Sequence, residues 1–171
     1  IVVYSTTEPV EALLFGGSTV ALHEGRVIQF GATSDVYRNP INRISAQVFS
    51  EPLMNEVKVI KKGNEFLMHS GIKWKARGKT EKLKDGPYTF GIRPNHFRVK
   101  PIHEGFVRIS GMVEISELSG SDSVIHFVND DGFWIVKITG IHAHNVGNIV
   151  ELYMDTTKGF LFDEHDKSVL N

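Results

Sequence analysis

Between Val107 and Thr139 the chain reads VRISGMVEISELSGSDSVIHFVNDDGFWIVKIT. Three strand-like runs stand out here: Val107–Leu118, Ser123–Val128 and Phe133–Thr139. They are cut by Ser119-Gly120-Ser121 and by Asn129-Asp130-Asp131-Gly132. Such clusters of Gly, Asn, Asp and Ser supply positive φ and local side-chain hydrogen bonds, so each marks a turn. The rhythm continues in both directions. Candidate strands Glu56–Lys61, Glu65–Ser70, Ile72–Lys75 and Tyr88–Arg93 precede the stretch, and Ile149–Met154 and Gly159–Phe162 follow it. Lys62-Gly63-Asn64, Lys84-Asp85-Gly86-Pro87 and Asn145-Val146-Gly147 are further turn signals. Many short strands with no long helix between them predict a small closed or nearly closed β-barrel.

Residues 1–50 have another character, alternating strand and helix. Ile1-Val2-Val3-Tyr4 is a continuous β-branched run of the kind buried on both faces in a parallel sheet, which requires neighbouring strands. Thr6-Thr7-Glu8-Pro9 reads as a helix start, with Thr or Glu as cap and Pro9 in the first turn. Val10, Leu13 and Leu14 form the apolar face, and Gly16-Gly17 ends the helix. Ser18–Leu22 and Arg26–Phe30 flank His23-Glu24-Gly25 as a hairpin. Thr33 or Ser34 caps a short helix stopped by Asn39-Pro40, and a further helix runs from about Asn42 to Phe49. The expected division is residues 1–50 and 51–171, near Ser50-Glu51-Pro52.

Composition narrows the function classes. A chain of 171 residues with 41% hydrophobic content buries a real core. The net charge of -1 supplies no basic field for nucleic acid. With no Cys there is neither a disulfide framework nor a thiolate metal site. No run reaches the roughly 20 apolar residues of a membrane span. A cytoplasmic protein that meets a membrane only through partners is expected.

Residues 1–55 resemble the ATP-binding subunits of ABC importers, in particular the carbohydrate and polyol group of maltose and glycerol-3-phosphate uptake ATPases. Ser5-Thr6-Thr7-Glu8-Pro9-Val10-Glu11-Ala12 is similar to their switch-histidine loop, and Val20 to Gly31 to the closing hairpin of their nucleotide-binding domain. Asp35-Val36-Tyr37-Arg38-Asn39-Pro40 matches their "(E/L)(V/L)Y..P" segment. Gly91-Ile92-Arg93-Pro94-Asn95-His96-Phe97 resembles the "GIRPEH(L/F)" signature of their TOBE-type regulatory barrel. Val113 to Gly120 and Gly159 to Asp163 also fit, so the likeness covers nearly the whole chain. It implies a mainly β chain: an OB-like TOBE barrel over residues 51–171, preceded by the α/β end of a P-loop nucleotide-binding domain over residues 1–50. The chain is expected to be a C-terminal piece of a longer subunit.

No G-x-x-x-x-G-K-[ST] loop occurs, so the cradle and Lys for ATP phosphates are absent. The fragment is expected to bind no cofactor and to be inactive alone, whereas the resemblance implies ATP and Mg²⁺ for the full-length subunit. Where the family carries its switch histidine, this chain has Thr7, followed by Glu8. The resemblance places that histidine at the γ-phosphate, where it positions water. Thr7 is shorter and carries no charge, which favours a degenerate ATPase paired with a complete paralogue over compensation by a neighbour. Gly91, Ile92, Arg93, Pro94 and His96 are the regulatory-domain signature.

Other candidates have plainer readings. His142 and His144 share a strand face but lack a third ligand at metal spacing, and read as a solvated loop. His96 reads as a hydrogen-bonded structural His fixing a turn, and His126, between Ile125 and Phe127, as exposed. Lys73, Lys75, Arg77 and Lys79, with Lys82 and Lys84 beyond, would line one face of a continuing strand as an anion or single-strand patch. A charge-protected edge strand is the simpler reading. Glu114 and Glu117 sit three apart on a strand and face opposite sides, a poor acid/base pair. Phe90, Ile92, Val113, Ile115, Phe133 and Ile135 are assigned to the core or to a dimer surface.

The expected function is therefore dimerisation and regulation within an importer ATPase. Its partners would be a second ATP-binding subunit (identical or a paralogue), the transmembrane permease subunits, and a regulatory protein or small effector, at the inner face of the plasma membrane. The alternative is a stand-alone barrel sensing a small oxyanion or oligosaccharide.

Overall fold

The structure is a computed structural model that describes residues 1–169; Leu170 and Asn171, the end of the expected second domain, lie outside the described residues. Ile1–Tyr4 forms no strand and stands exposed, because no other strand among the described residues pairs with it. Helix α1 (Pro9–Phe15) begins with the expected Pro in its first turn and ends at Gly16, whose φ of 65° only Gly adopts freely. The expected side-chain cap is missing. Glu8 holds the N-cap position without capping, and its amide donates to Thr6 Oγ1 at 2.9 Å. Val10, Leu13, Leu14 and Phe15 are exposed, and only Ala12 of this helix packs against the small core beneath it.

Strands β1 (Ser18–His23) and β2 (Arg26–Ala32) form the hairpin, with Glu24 and Gly25 both at positive φ as a primed two-residue turn requires. Helix α2 (Thr33–Arg38) has Ala32 at its N-cap. The Thr33 hydroxyl, expected to cap it, instead donates to the Gly16 and Gly17 carbonyls. Helix α3 (Arg43–Val48) is capped by Asn42, whose side chain accepts from the Ser45 amide at 2.8 Å. Ala21, Val36 and Phe49 are the centre of this segment's core.

The remaining strands are β3 (Asn55–Lys62), β4 (Glu65–Met68), β5 (Lys73–Lys75), β6 (Gly86–Ile92), β7 (Phe97–Arg98), β8 (Phe106–Leu118), β9 (Asp122–Asn129), β10 (Gly132–Thr139), β11 (Ile149–Asp155) and β12 (Phe160–Phe162). They form two five-stranded antiparallel sheets, ordered β12-β6-β3-β4-β5 and β10-β9-β8-β11-β7. The sheets curl round one core as a small OB-like barrel. Val57, Phe66, Trp74 and Phe90 come from one sheet; Ile109, Phe127, Trp134 and Leu152 come from the other. Only β7 is absent from the expected strands; two residues against Tyr153 and Met154 are too short to leave a pattern.

Asn55 spans a gap between the sheets. Its Nδ2 donates to the Ile135 carbonyl at 2.7 Å and to the Ile92 carbonyl at 3.3 Å, and its Oδ1 accepts from the Ile135 amide at 2.7 Å. Because β10 is an edge strand, its outward backbone groups have no ladder partner; the Asn55 amide supplies one, copying a peptide group.

The apolar residues assigned to the core or to a dimer surface divide between buried and exposed positions. A bulge between Val113 and Ile115 shifts the phase of β8, so Val113 is buried while Ile115 is exposed. Glu114 lies at that bulge, so simple alternation does not describe its relation to Glu117. On β10 the core face is Trp134, Val136 and Ile138, which leaves Phe133 exposed and Ile135 half-buried. Phe90 and Ile92 are core residues. Among the described residues no helix is long and apolar enough to cross a membrane.

Candidate functional site

The N-terminal segment is clamped to the barrel through the chain's last described residues. Arg43 donates from Nε and Nη2 to the two Asp166 carboxylate oxygens at 2.8 and 3.0 Å, and from Nη1 to Glu56 at 3.0 Å. This fork holds the Asp166 carboxyl below its ordinary pKa and raises that of the guanidinium. The Ser168 amide donates to the Ile41 carbonyl at 2.9 Å, and Ala46 packs with Met54 and Phe162.

The signature Gly91–His96 sits at this junction. Gly91 faces the flexible end of the Met54 side chain: a Cβ there would fall within 3.0 Å of Met54 Sδ and Cε, which would have to shift. Arg93 follows the end of β6 and is 4% exposed. Its guanidinium carbon lies 3.9 Å from the Tyr37 ring centre and 4.8 Å from that of Phe160. Nη2 donates to the Tyr37 carbonyl at 2.9 Å, while Nε has no partner among the described residues. Burial pushes the Arg93 pKa down, with Tyr37 only partly opposing the shift. Pro94 is buried and opens a 3-10 turn, Pro94–His96. The His96 amide donates to the Arg93 carbonyl at 3.0 Å, so its backbone closes the turn. Burial, followed by the Arg93 charge, depresses the His96 ring to a pKa of about 4.

A cleft of about 390 Å³ opens beside Arg93. Pro9, Val10 and Leu13 of α1, Tyr37, Glu51, Arg98 and Lys137 line it, so both the N-terminal segment and the barrel contribute. Thr7 and Glu8 do not line it; both are exposed beside Thr6 and Glu11, whose side chains form a hydrogen bond.

The other candidates take plainer places. The basic run is not one strand: β5 is an edge strand that stops at Lys75, Ala76 is buried, and Gly78–Lys82 is a 3-10 turn. Lys73 pairs with Glu65 at 3.6 Å, and Arg77 donates to the Glu104 carbonyl at 3.1 Å. His142 and His144 lie in the loop after β10, and no group of three metal-binding side chains occurs among the described residues. His126 is half-buried rather than exposed, its ring 5.6 Å from that of Phe133. Sequence reasoning missed Tyr37 and Lys137 as neighbours of Arg93, since no local pattern links positions so far apart, and it passed over Arg98, only five residues on.

No protein-family model matches the chain. Curated relatives do, along nearly all of it. The sn-glycerol-3-phosphate import ATP-binding protein UgpC of Brucella abortus is 27% identical over 173 residues, covering 98% of this chain and 46% of that protein. The same-named protein of Vibrio vulnificus is 25% identical over 98% of this chain. The ABC transporter ATP-binding protein YcjV of Escherichia coli is 26% identical over 94%. The chain thus resembles the C-terminal part of ABC importer ATP-binding subunits and spans about half their length. Among solved structures, the molybdate-binding protein ModG aligns over 63% of this chain at 13% identity and a TM-score of 0.47.

Proposed function

We propose that this chain is the C-terminal part of the ATP-binding subunit of an ABC importer. Residues 1–50 would be the end of its nucleotide-binding domain, and residues 51–171 its dimerisation and regulatory barrel. The observation that carries this reading is the likeness to importer ATP-binding subunits across 98% of the chain, spanning hairpin and barrel alike. The parent subunit binds ATP and Mg²⁺ in upstream motifs and couples hydrolysis to uptake of a sugar, polyol or related solute. It works with a second ATP-binding subunit and with permease subunits at the cytoplasmic face of the plasma membrane.

Two features of the chain fit that role. Met112, Ile115, Phe133 and Ile149 are large, apolar and 45–71% exposed, and the ladders pair Met112 with both Val128 and Ile149. Such a face is suited to contact with a second subunit. Thr7 occupies the switch-histidine position as an exposed hydroxyl, so this subunit contributes little hydrolysis and depends on a complete paralogue. The test is an ATPase assay of the full-length subunit alone and mixed with its paralogue. Activity only in the mixture is expected; robust hydrolysis by the lone homodimer refutes the degenerate-site reading.

A further inference from the structure

A buried cation without a counter-ion is costly, and proteins almost always pair one. Arg93 breaks that rule. Among the described residues no carboxylate forms an ion pair with it, and its contacts are two aromatic faces and one backbone carbonyl. Cation–π contact and a carbonyl compensate for lost hydration without cancelling the charge. The guanidinium also borders an open cleft rather than a sealed core.

The other charges on the cleft do not supply the missing anion. Lys137 and Asp122 lie 3.8 Å apart and neutralise each other. Arg98 spends Nη1 on the carbonyls of Asn95 and Phe97, which orients the side chain and leaves its charge unmatched. With Asp122 paired to Lys137, Glu51, exposed on the cleft wall, is the remaining carboxylate among the described lining residues and is set against the Arg93 and Arg98 guanidiniums.

We infer that the junction cleft binds a small phosphate-bearing anion, either inorganic phosphate or a phosphate monoester, with Arg93 as its central cation and Arg98 at the rim. A doubly charged tetrahedral oxyanion suits two guanidiniums in one cleft better than a single carboxylate does, and guanidinium donors match its oxygens. A volume of about 390 Å³ exceeds what phosphate alone fills, so a short ester tail fits beside Val10 and Leu13. Since the walls come from both the N-terminal segment and the barrel, an occupied cleft would tie the two together. The site does not depend on the importer reading. Binding is measured on this chain itself, whereas the importer reading is tested by ATPase activity of the full-length subunit, so each can fail alone.

The experiment is isothermal titration calorimetry of the 171-residue chain with sodium phosphate, methyl phosphate and sodium acetate at one fixed ionic strength. Saturable binding of a phosphate probe is expected, with acetate at least tenfold weaker. Tighter methyl phosphate identifies an ester as the ligand, and tighter inorganic phosphate identifies the free ion. Because Arg93 also supports packing, the decisive variants are on the rim. Arg98→Gln should weaken phosphate at least tenfold, and Asn95→Asp, which places a carboxylate on the cleft wall, should do the same. Circular dichroism checks that both remain folded. Absence of saturable binding, equal affinity for acetate, or full affinity in the folded rim variants each overturns the assignment.

Discussion

Replacing Asn55 with Ala removes the amide that joins β3 to the edge of β10. Two short hydrogen bonds to Ile135, at 2.7 Å each, are lost together with the longer one to Ile92. Each short bond contributes about 1 kcal/mol net, and leaving the Ile135 amide and carbonyl unmet adds about 1–3 kcal/mol. The expected loss is therefore about 3–5 kcal/mol. For a chain of this size that lowers Tm by roughly 6–20 °C. Asn55→Asp keeps an acceptor but loses the donor and buries a charge at a position 5% exposed, so it should cost at least as much. Urea denaturation followed by circular dichroism gives the free energy, with an unchanged m-value expected. Hydrogen exchange at the Ile135 amide gives the local effect, expected as a large loss of protection. A loss below about 0.5 kcal/mol with the amide still protected would refute the seam, since a buried, bonded amide is worth more than that.

Two further perturbations read other parts of the structure. His96 is held neutral, with a folded pKa of about 4 against 6.5 unfolded, so between those values the unfolded chain takes up a proton that the folded chain refuses. Stability should fall as pH drops through that window, by up to about 3 kcal/mol, and His96→Gln should flatten that part of the profile; equal slopes in both proteins contradict this. Gly111→Ala would push a Cβ into the Val128 carbonyl and the Phe127 ring on the neighbouring strand. Backbone cannot yield as a flexible side chain does, so a loss of about 1–3 kcal/mol in chemical denaturation is expected, and a neutral result would mean that β8 and β9 lie further apart.

The sequence carried the β-rich part well because turn residues punctuate it. Asn129-Asp130-Asp131-Gly132 and Lys62-Gly63-Asn64 fall between strands that pair across them. Ile1–Tyr4 has the residues of a buried strand, yet a strand exists only by pairing; no other described strand meets it, and Ile1, Val2 and Val3 stand exposed. Which of Val113 and Ile115 faces the core was not legible, because one bulged residue inverts the faces beyond it, a change that leaves no mark on composition. The candidate cleft was only half legible. Arg93 stood out within its signature, but its burial against Tyr37 depends on contact between residues 56 positions apart. Asn55 gave no signal, since an Asn at the start of a strand also reads as an ordinary turn residue.

The most direct measurement is the intact mass of the native polypeptide that contains this sequence, with its N-terminal sequence. As the C-terminal part of an importer ATPase subunit, the chain should lie in a polypeptide roughly twice its 171 residues, with a G-x-x-x-x-G-K-[ST] loop ahead of Ile1. A native polypeptide of about the mass of residues 1–171 alone would contradict this and leave a separate barrel protein in its place.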